Sequence, residues 1–184
     1  MRQIFYATIL VFCAPFLFAS DSEHAVLRTV LTAVARANHR NGVAPAAVRS
    51  MTSGGAEEFA TQWIMKVSGK VAGVELAGSY EKVNARPEAV TDFLPRLEND
   101  INIDEPYDWK TIHRMLPAAQ SLIVFSRPVF DSMGCFAFVR ADVIPRQGRA
   151  TTTFYEVERQ PDDSWKINQA AILTYENARR TDVH

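Results

Sequence analysis

Beyond the first twenty residues the chain has one cysteine, and this thiol is the first candidate for chemistry. Cys135 lies in the segment RPVFDSMGCFAFVRADV, close to the charged residues Asp131 and Arg140. A cysteine becomes a nucleophile when a neighbouring base or positive charge favours its thiolate. Cys135 has no histidine beside it in the sequence and shares a strand face with valines, so we predict a buried apolar residue. An intermolecular disulfide and a catalytic thiol are the alternatives.

Histidine and carboxylate residues are the second candidate, because such pairs support general acid–base catalysis. His113 lies in DWKTIHRMLP, a short predicted helix with Asp108 as its N-cap. We interpret His113 as a surface or partly buried helix histidine. The alternative is a hydrolase in which His113 is the general base, paired with Asp108 or with a carboxylate of the sheet. Glu57 and Glu58 are adjacent, and adjacent helical side chains do not face each other. We therefore predict no catalytic residue.

Metal, cofactor and nucleic-acid sites are not indicated. The four histidines lie far apart, without the spacing of metal ligands. The sequence has no phosphate-binding loop, dinucleotide glycine motif or zincin motif, so we predict no metal ion and no cofactor. The formal net charge of −1 gives no reason to expect the strongly basic face that nucleic acids need.

A mixture of aromatic and charged residues is the candidate binding site. It occupies even-numbered positions of two predicted strands that are joined by the turn PRQGR. An aromatic wall with a few fixed charges is typical of small-ligand sites. The alternative is a sheet surface with cross-strand ion pairs, whose aromatic rings lie under a helix or a dimer partner. The predicted binding residues are Phe136, Phe138, Arg140, Phe154 and Glu156.

The second half of the chain predicts the sheet that would carry this site. Four runs rich in Val, Ile, Phe, Tyr and Thr follow Ser121, separated by short turn segments: SLIVFSR, CFAFVRADVI, ATTTFYEVE and SWKINQAAILTYE. Short connections require antiparallel neighbours, so we predict a four-stranded antiparallel meander. Odd-numbered positions form its apolar face, which the helices should cover. These positions are Cys135, Ala137, Val139, Ala141, Val143, Tyr155, Val157, Trp165, Ile167, Ala171 and Leu173.

The first half predicts mainly helices. The clearest spans 21–42, where Val26, Val30 and Val34 recur at helical spacing and Gly42 can end the helix. Further helices are predicted from residue 56 to about 68, over 108–117 and within 86–100, where Pro87 would be the first helical residue and Pro95 limits the length. Residues 46–52 are predicted as an extra strand and 99–106 as a loop. The predicted fold class is α+β, with helices on one face of the meander in a cystatin-like or NTF2-like arrangement.

The first twenty residues, MRQIFYATILVFCAPFLFAS, have the layout of a signal peptide, with cleavage near Ala19 or Ser20. An uncleaved membrane anchor is the alternative. No later apolar run reaches bilayer length, so no stable span is expected after removal of the signal. We predict a signal over 1–20, one domain over 21–176, a polar tail over 177–184 and a secreted or periplasmic location.

Residues 92–172 resemble the closing segment of a group of uncharacterised exported bacterial proteins. In that group a helix with tryptophan and proline leads to a Ser-Arg-x-x-Phe strand, an Ala-rich strand, a Tyr-centred strand and a Trp-Lys strand. The resemblance implies export and a helix-plus-sheet fold, and it implies no catalytic residues. The sequence departs from the group at Asp163-Ser164, where a glycine is usual. The matching residues are Trp109, Pro117, Ser126, Arg127, Phe130, Ala137, Tyr155, Trp165 and Lys166.

Three functions are consistent with these patterns. The first is a non-catalytic module that binds a small molecule or a protein through the even-numbered face. The second is a hydrolase that uses His113 with a carboxylate of the sheet. The third is a homodimer or larger assembly joined through the even-numbered face or through Cys135.

Overall fold

A mixed sheet forms the centre of the molecule. The computed structural model describes residues 15–52, 58–68, 70–89, 100–103 and 106–174. The helices in this part are α1 (Pro15–Arg40), α2 (Glu58–Ser68), α3 (Lys70–Val83) and α4 (Trp109–Met115). The strands are β1 (Ala46–Arg49), β2 (Asp100–Ile101), β3 (Ser121–Phe125), β4 (Val129–Phe130), β5 (Phe136–Pro145), β6 (Thr151–Arg159) and β7 (Trp165–Thr174).

The strand order is β2-β1-β3-β5-β6-β7, with β4 also paired to β5. Strands β3, β5, β6 and β7 pair antiparallel in sequence order, which confirms the predicted meander and the α+β class. Strand β1 runs parallel to β2 and β3. A parallel pair needs a long crossover, and the chain between β1 and β3 supplies one because it contains α2, α3 and α4.

The odd face, defined by the odd-numbered residues of β5 and β6, is covered by α1. Val26, Leu27, Val30 and Val34 are buried against the valines and alanines of this face, as their helical spacing predicts. The helix begins at Pro15, before the expected start at residue 21, and its end is followed by Gly42 with φ of +71°. Because glycine adopts a positive φ without steric cost, it suits this helix end.

The even face, defined by the even-numbered residues of β5 and β6, is covered as well, and the expectation that it is free for recognition is wrong. Helices α2 and α3 pack on Phe138 and Phe154 through Trp63, Ile64 and Tyr80. Helix α4 covers the same face near β3 through Ile112. The physical reason is that large aromatic side chains each gain about 1.5–3 kcal/mol on leaving water, so this face also attracts a helical layer.

A β-bulge in β7 reverses the predicted faces beyond residue 168. Glu156 pairs with Gln169 and Val157 with Ile167, so Asn168 is an extra residue in β7. Trp165 and Ile167 lie on the odd face as predicted. Ala171 packs instead among the residues of α2 and α3, while Ile172 is 68% exposed. The register places Leu173 opposite Thr152, which assigns its position to the even face.

Other element predictions differ in extent. The predicted strand over 46–52 is shortened to β1, and α4 has the expected N-cap, Asp108, whose carboxylate accepts hydrogen bonds from the backbone of Lys110 and Thr111. Strand β2 pairs with β1 where a loop was expected. The helix predicted over 86–100 falls largely outside the described residues, and its described start, 86–89, is not helical. Residues 1–14 of the signal segment predicted over 1–20, and the predicted tail over 177–184, also lie outside the described residues.

Gly73 allows the close approach of α2 and α3. A Cβ atom at this position would lie 2.6 Å from the Cα of Met65, whereas a Cβ at Gly78 would meet nothing within 4 Å. We expect Gly73→Ala to destabilise the protein by about 1–3 kcal/mol through overpacking. Gly78→Ala, the matched control, should stabilise it by about 0.5–1 kcal/mol because alanine is the better helix former. Urea unfolding measures both, and a loss of stability for both variants would contradict this account.

Candidate functional site

The predicted binding residues are brought together on the even face, but most of them are buried. Phe138 is paired with Glu156 and Arg140 with Phe154, within the hairpin that the turn PRQGR predicts. Phe138 and Phe154 are each 2% exposed, Glu156 is 4% and Arg140 is 5% exposed, while Phe136 is half-buried. The rings of both buried phenylalanines contact Trp63, at centroid distances of 5.8 and 6.1 Å. A ligand could reach these rings only after α2 and α3 moved away.

The charged members of this set have partners within the protein. The Arg140 guanidinium lies 3.2 Å from Asp142 Oδ2, and Thr152 Oγ1 donates a 2.7 Å hydrogen bond to Asp142 Oδ1. Asn168 Nδ2 donates a hydrogen bond to Glu156 Oε1. Since buried charges are costly unless they are paired, these contacts explain how a core can include Arg140 and Glu156. The arrangement is a buried polar layer beside an aromatic cluster.

The two catalytic candidates are not assembled for chemistry. Cys135 is half-buried in the loop before β5, so the prediction of a fully buried core residue is wrong. Its backbone N–H donates a 2.7 Å hydrogen bond to Asp131 Oδ1, which holds the start of the strand. His113 Nδ1 lies 2.9 Å from the carbonyl oxygen of Pro117. Among the described residues, no carboxylate forms a hydrogen bond or an ion pair with His113.

A partly buried polar cluster that the residue patterns did not predict lies where β3 passes into β4. This Arg127 cluster consists of Glu23, Asn84, Glu88 and Arg127. The Arg127 guanidinium contacts Glu23 Oε1 at 3.2 and 3.3 Å and Glu88 Oε2 at 2.6 Å. Asn84 Oδ1 accepts a 2.7 Å hydrogen bond from the Arg127 N–H, and its Nδ2 donates one of 3.2 Å to the Arg127 carbonyl oxygen.

The Arg127 cluster joins the two helical layers. Glu23 belongs to α1, on the odd face, whereas Asn84 and Glu88 follow α3, on the even face. Burial raises the pKa of Glu23 above its usual range, and the charge and hydrogen bonds of Arg127 partly offset this effect. Sequence patterns did not reveal the cluster because Glu23 and Arg127 are 104 residues apart. The only signal was the presence of Ser126 and Arg127 among the residues that carry the resemblance.

A groove along the C-terminal half of α1 is an open surface site among the described residues. This α1 groove has a volume of about 850 Å³. Its described wall consists of Leu31, Thr32, Ala35, Arg36, His39 and Arg40. Leu31 is half-buried and packs against the odd-face core, while the other five side chains are exposed. The groove therefore has an apolar floor and a cationic side.

The cations of the α1 groove lie in a stretch of the sequence that is free of acidic residues. The sequence has no acidic residue between Glu23 and Glu57. Within the described residues, no ion pair involves Arg36, His39 or Arg40. The sequence alone does not indicate this site, because cations near the C-terminal end of a helix are ordinarily explained by their favourable interaction with the helix dipole.

Two kinds of feature are absent from the described residues. In this part of the chain, no cluster of three or more His, Cys, Asp or Glu residues could hold a metal ion. No helix of the described segments has the length and hydropathy needed to cross a membrane. The cystatin-like and NTF2-like arrangements stay predictions. Comparison of the chain with protein-family models, with curated proteins and with solved structures finds no match in any of the three.

Proposed function

We propose that the protein is an exported, non-catalytic module that binds a small molecule in the α1 groove. The volume of the groove, about 850 Å³, carries the proposal, because small-ligand sites usually measure about 300–1,000 Å³. An apolar floor with a few polar groups is also the usual composition of such sites. Export rests on the signal-like pattern of residues 1–20.

The proposed function is still the non-catalytic binding module expected from the sequence. The proposed binding site, however, is the α1 groove and not the even face. Phe138 and Phe154 already have helical partners, so a ligand would compete with α2 and α3 for them. At the α1 groove, Thr32 and Arg36 are exposed and need no such displacement. No contact among the described residues favours the two alternative functions, a hydrolase and a homo-oligomer.

A groove-filling substitution tests the proposal. The chain is recovered from an exporting bacterial host, and saturation-transfer NMR is recorded with a mixture of neutral, anionic and cationic fragment molecules. We expect binding by the wild type and at least a tenfold loss of affinity in Thr32→Trp, equivalent to about 1.4 kcal/mol, because the indole fills the groove. Lys82→Trp, at an exposed position of α3, is the matched control and should bind as the wild type does.

Two results would count against the proposal. If no fragment binds the wild type, or if Thr32→Trp binds as tightly as Lys82→Trp, the α1 groove is not the site. Mass spectrometry of the same material tests export, with an N-terminus at residue 20 or 21 expected. A chain that retains Met1 would contradict the cleaved signal.

A further inference from the structure

We infer that the α1 groove binds a single-chain anionic amphiphile, such as a fatty acid or an alkyl phosphate. The inference rests on the proposed function and goes further by naming the chemical class of the ligand. Its basis is the way in which apolar and cationic side chains are distributed along one side of α1.

The apolar part of the groove would hold the alkyl chain. Leu31 lies at one end and packs against the odd-face core, and Ala35 is one turn further along the helix. At a rise of 1.5 Å per residue, the distance along the axis from Leu31 to Arg40 is roughly 14 Å. The described wall is therefore long enough for an extended alkyl chain to lie beside the helix.

The cationic part would hold the head group. Arg36 and Arg40 are four residues apart, which places them on the same side of the helix, and His39 lies between them in the sequence. Like charges at this spacing repel by about 0.2–0.5 kcal/mol, and an anion between them would relieve the repulsion. The planar guanidinium group donates paired hydrogen bonds to carboxylate and phosphate oxygens, so both head groups are suited to this end.

The same helix is poorly suited to lying in a bilayer. An amphipathic helix that binds a membrane surface inserts its apolar face among the acyl chains. In α1 that face is occupied, because Val26, Leu27, Val30 and Val34 are buried against the sheet. A monomeric amphiphile that enters the groove needs only the exposed side of the helix. We therefore assign the ligand as a free molecule.

Isothermal titration calorimetry with dodecyl phosphate below its micelle concentration tests the inference on the full chain. The expected result is micromolar affinity for dodecyl phosphate and at least tenfold weaker binding of dodecanol, inorganic phosphate and dodecyltrimethylammonium. Arg36→Gln/Arg40→Gln should reduce the affinity for dodecyl phosphate at least tenfold. Arg86→Gln/Arg146→Gln removes two exposed charges outside the groove and should bind within twofold of the wild type. Thermal unfolding verifies that both double variants are folded.

The possible outcomes test the proposed ligand class independently of the proposed function. If dodecanol binds as tightly as dodecyl phosphate, or if the two double variants bind alike, the anionic class is wrong while groove binding stands. If phosphatidylglycerol vesicles bind and monomeric dodecyl phosphate does not, the ligand is a membrane surface and the inference is overturned. If neither amphiphiles nor the fragment mixture bind, the proposed function fails as well.

Discussion

Replacement of Arg127 by methionine is expected to lower the free energy of unfolding by about 3 kcal/mol. The guanidinium pairs with Glu23, whose side chain is 7% exposed, and Arg127 itself is 29% exposed. Removing one partner of a buried ion pair leaves the other charge without compensation, which typically costs 3–5 kcal/mol. We expect a loss of stability at the lower end of this range, because water reaches the partly exposed Arg127 side chain. Urea unfolding of the variant and the wild type measures the difference.

The solution pH provides a sharper test of the same prediction. Burial disfavours the ionised form of Glu23, so in the folded variant its pKa should lie further above the usual value of 4.5. Protonation removes the uncompensated charge, so the loss of stability should be largest at neutral pH. The loss should then shrink as the pH falls through the raised pKa toward 4.5. Adding Glu23→Gln should restore part of the stability at neutral pH.

An exposed ion pair supplies the control for this experiment. Arg159 and Asp163 are 2.9 Å apart, with side chains that are 43% and 79% exposed. Exposed pairs contribute at most about 1 kcal/mol, so Arg159→Met should change the stability by less than that. If Arg127→Met and Arg159→Met had equal effects, the Arg127 cluster would not be what joins the two helical layers.

Replacement of Phe154 by alanine is expected to cost about 3–5 kcal/mol, the usual effect of deleting a buried aromatic side chain. Its ring lies 5.3 Å from that of Phe59 and 6.1 Å from that of Trp63, measured between centroids, so its loss opens a cavity between β6 and α2. Phe136→Ala is the control. Because Phe136 is only half-buried, this variant should lose less stability than Phe154→Ala. Thermal and urea unfolding measure both variants.

The Phe154 result also decides between the two interpretations of the even face. A structural role requires a large loss of stability and no loss of ligand affinity in the variant that remains folded. A stability change below about 1 kcal/mol, together with lost binding of the fragment mixture, would restore the even face as the binding surface and remove the α1 groove from that role.

Local patterns determined several elements correctly. The three-to-four spacing of Val26, Val30 and Val34 predicted α1 and its buried side, and Asp108 predicted the start of α4. The turn PRQGR predicted the hairpin of β5 and β6, in which Arg140 pairs with Phe154. These predictions succeed because helix spacing, capping and hairpin register each depend on residues that are close together in the sequence.

Only the tertiary structure decided which surfaces remain open. The alternation in β6 places Phe154 on the even face, but alternation does not say that α2 and α3 cover it. The extra residue Asn168 reverses the faces of β7, and Glu23 reaches Arg127 from 104 residues away. The physical reason is that burial depends on which layers meet, and this is set by the summed contacts of the whole chain rather than by any one segment. The sequence by itself therefore determined the α+β class, most of the strands and the charge of α1, while the folded chain decided that helices cover both faces of the sheet, which is why the proposed ligand site lies on α1 instead.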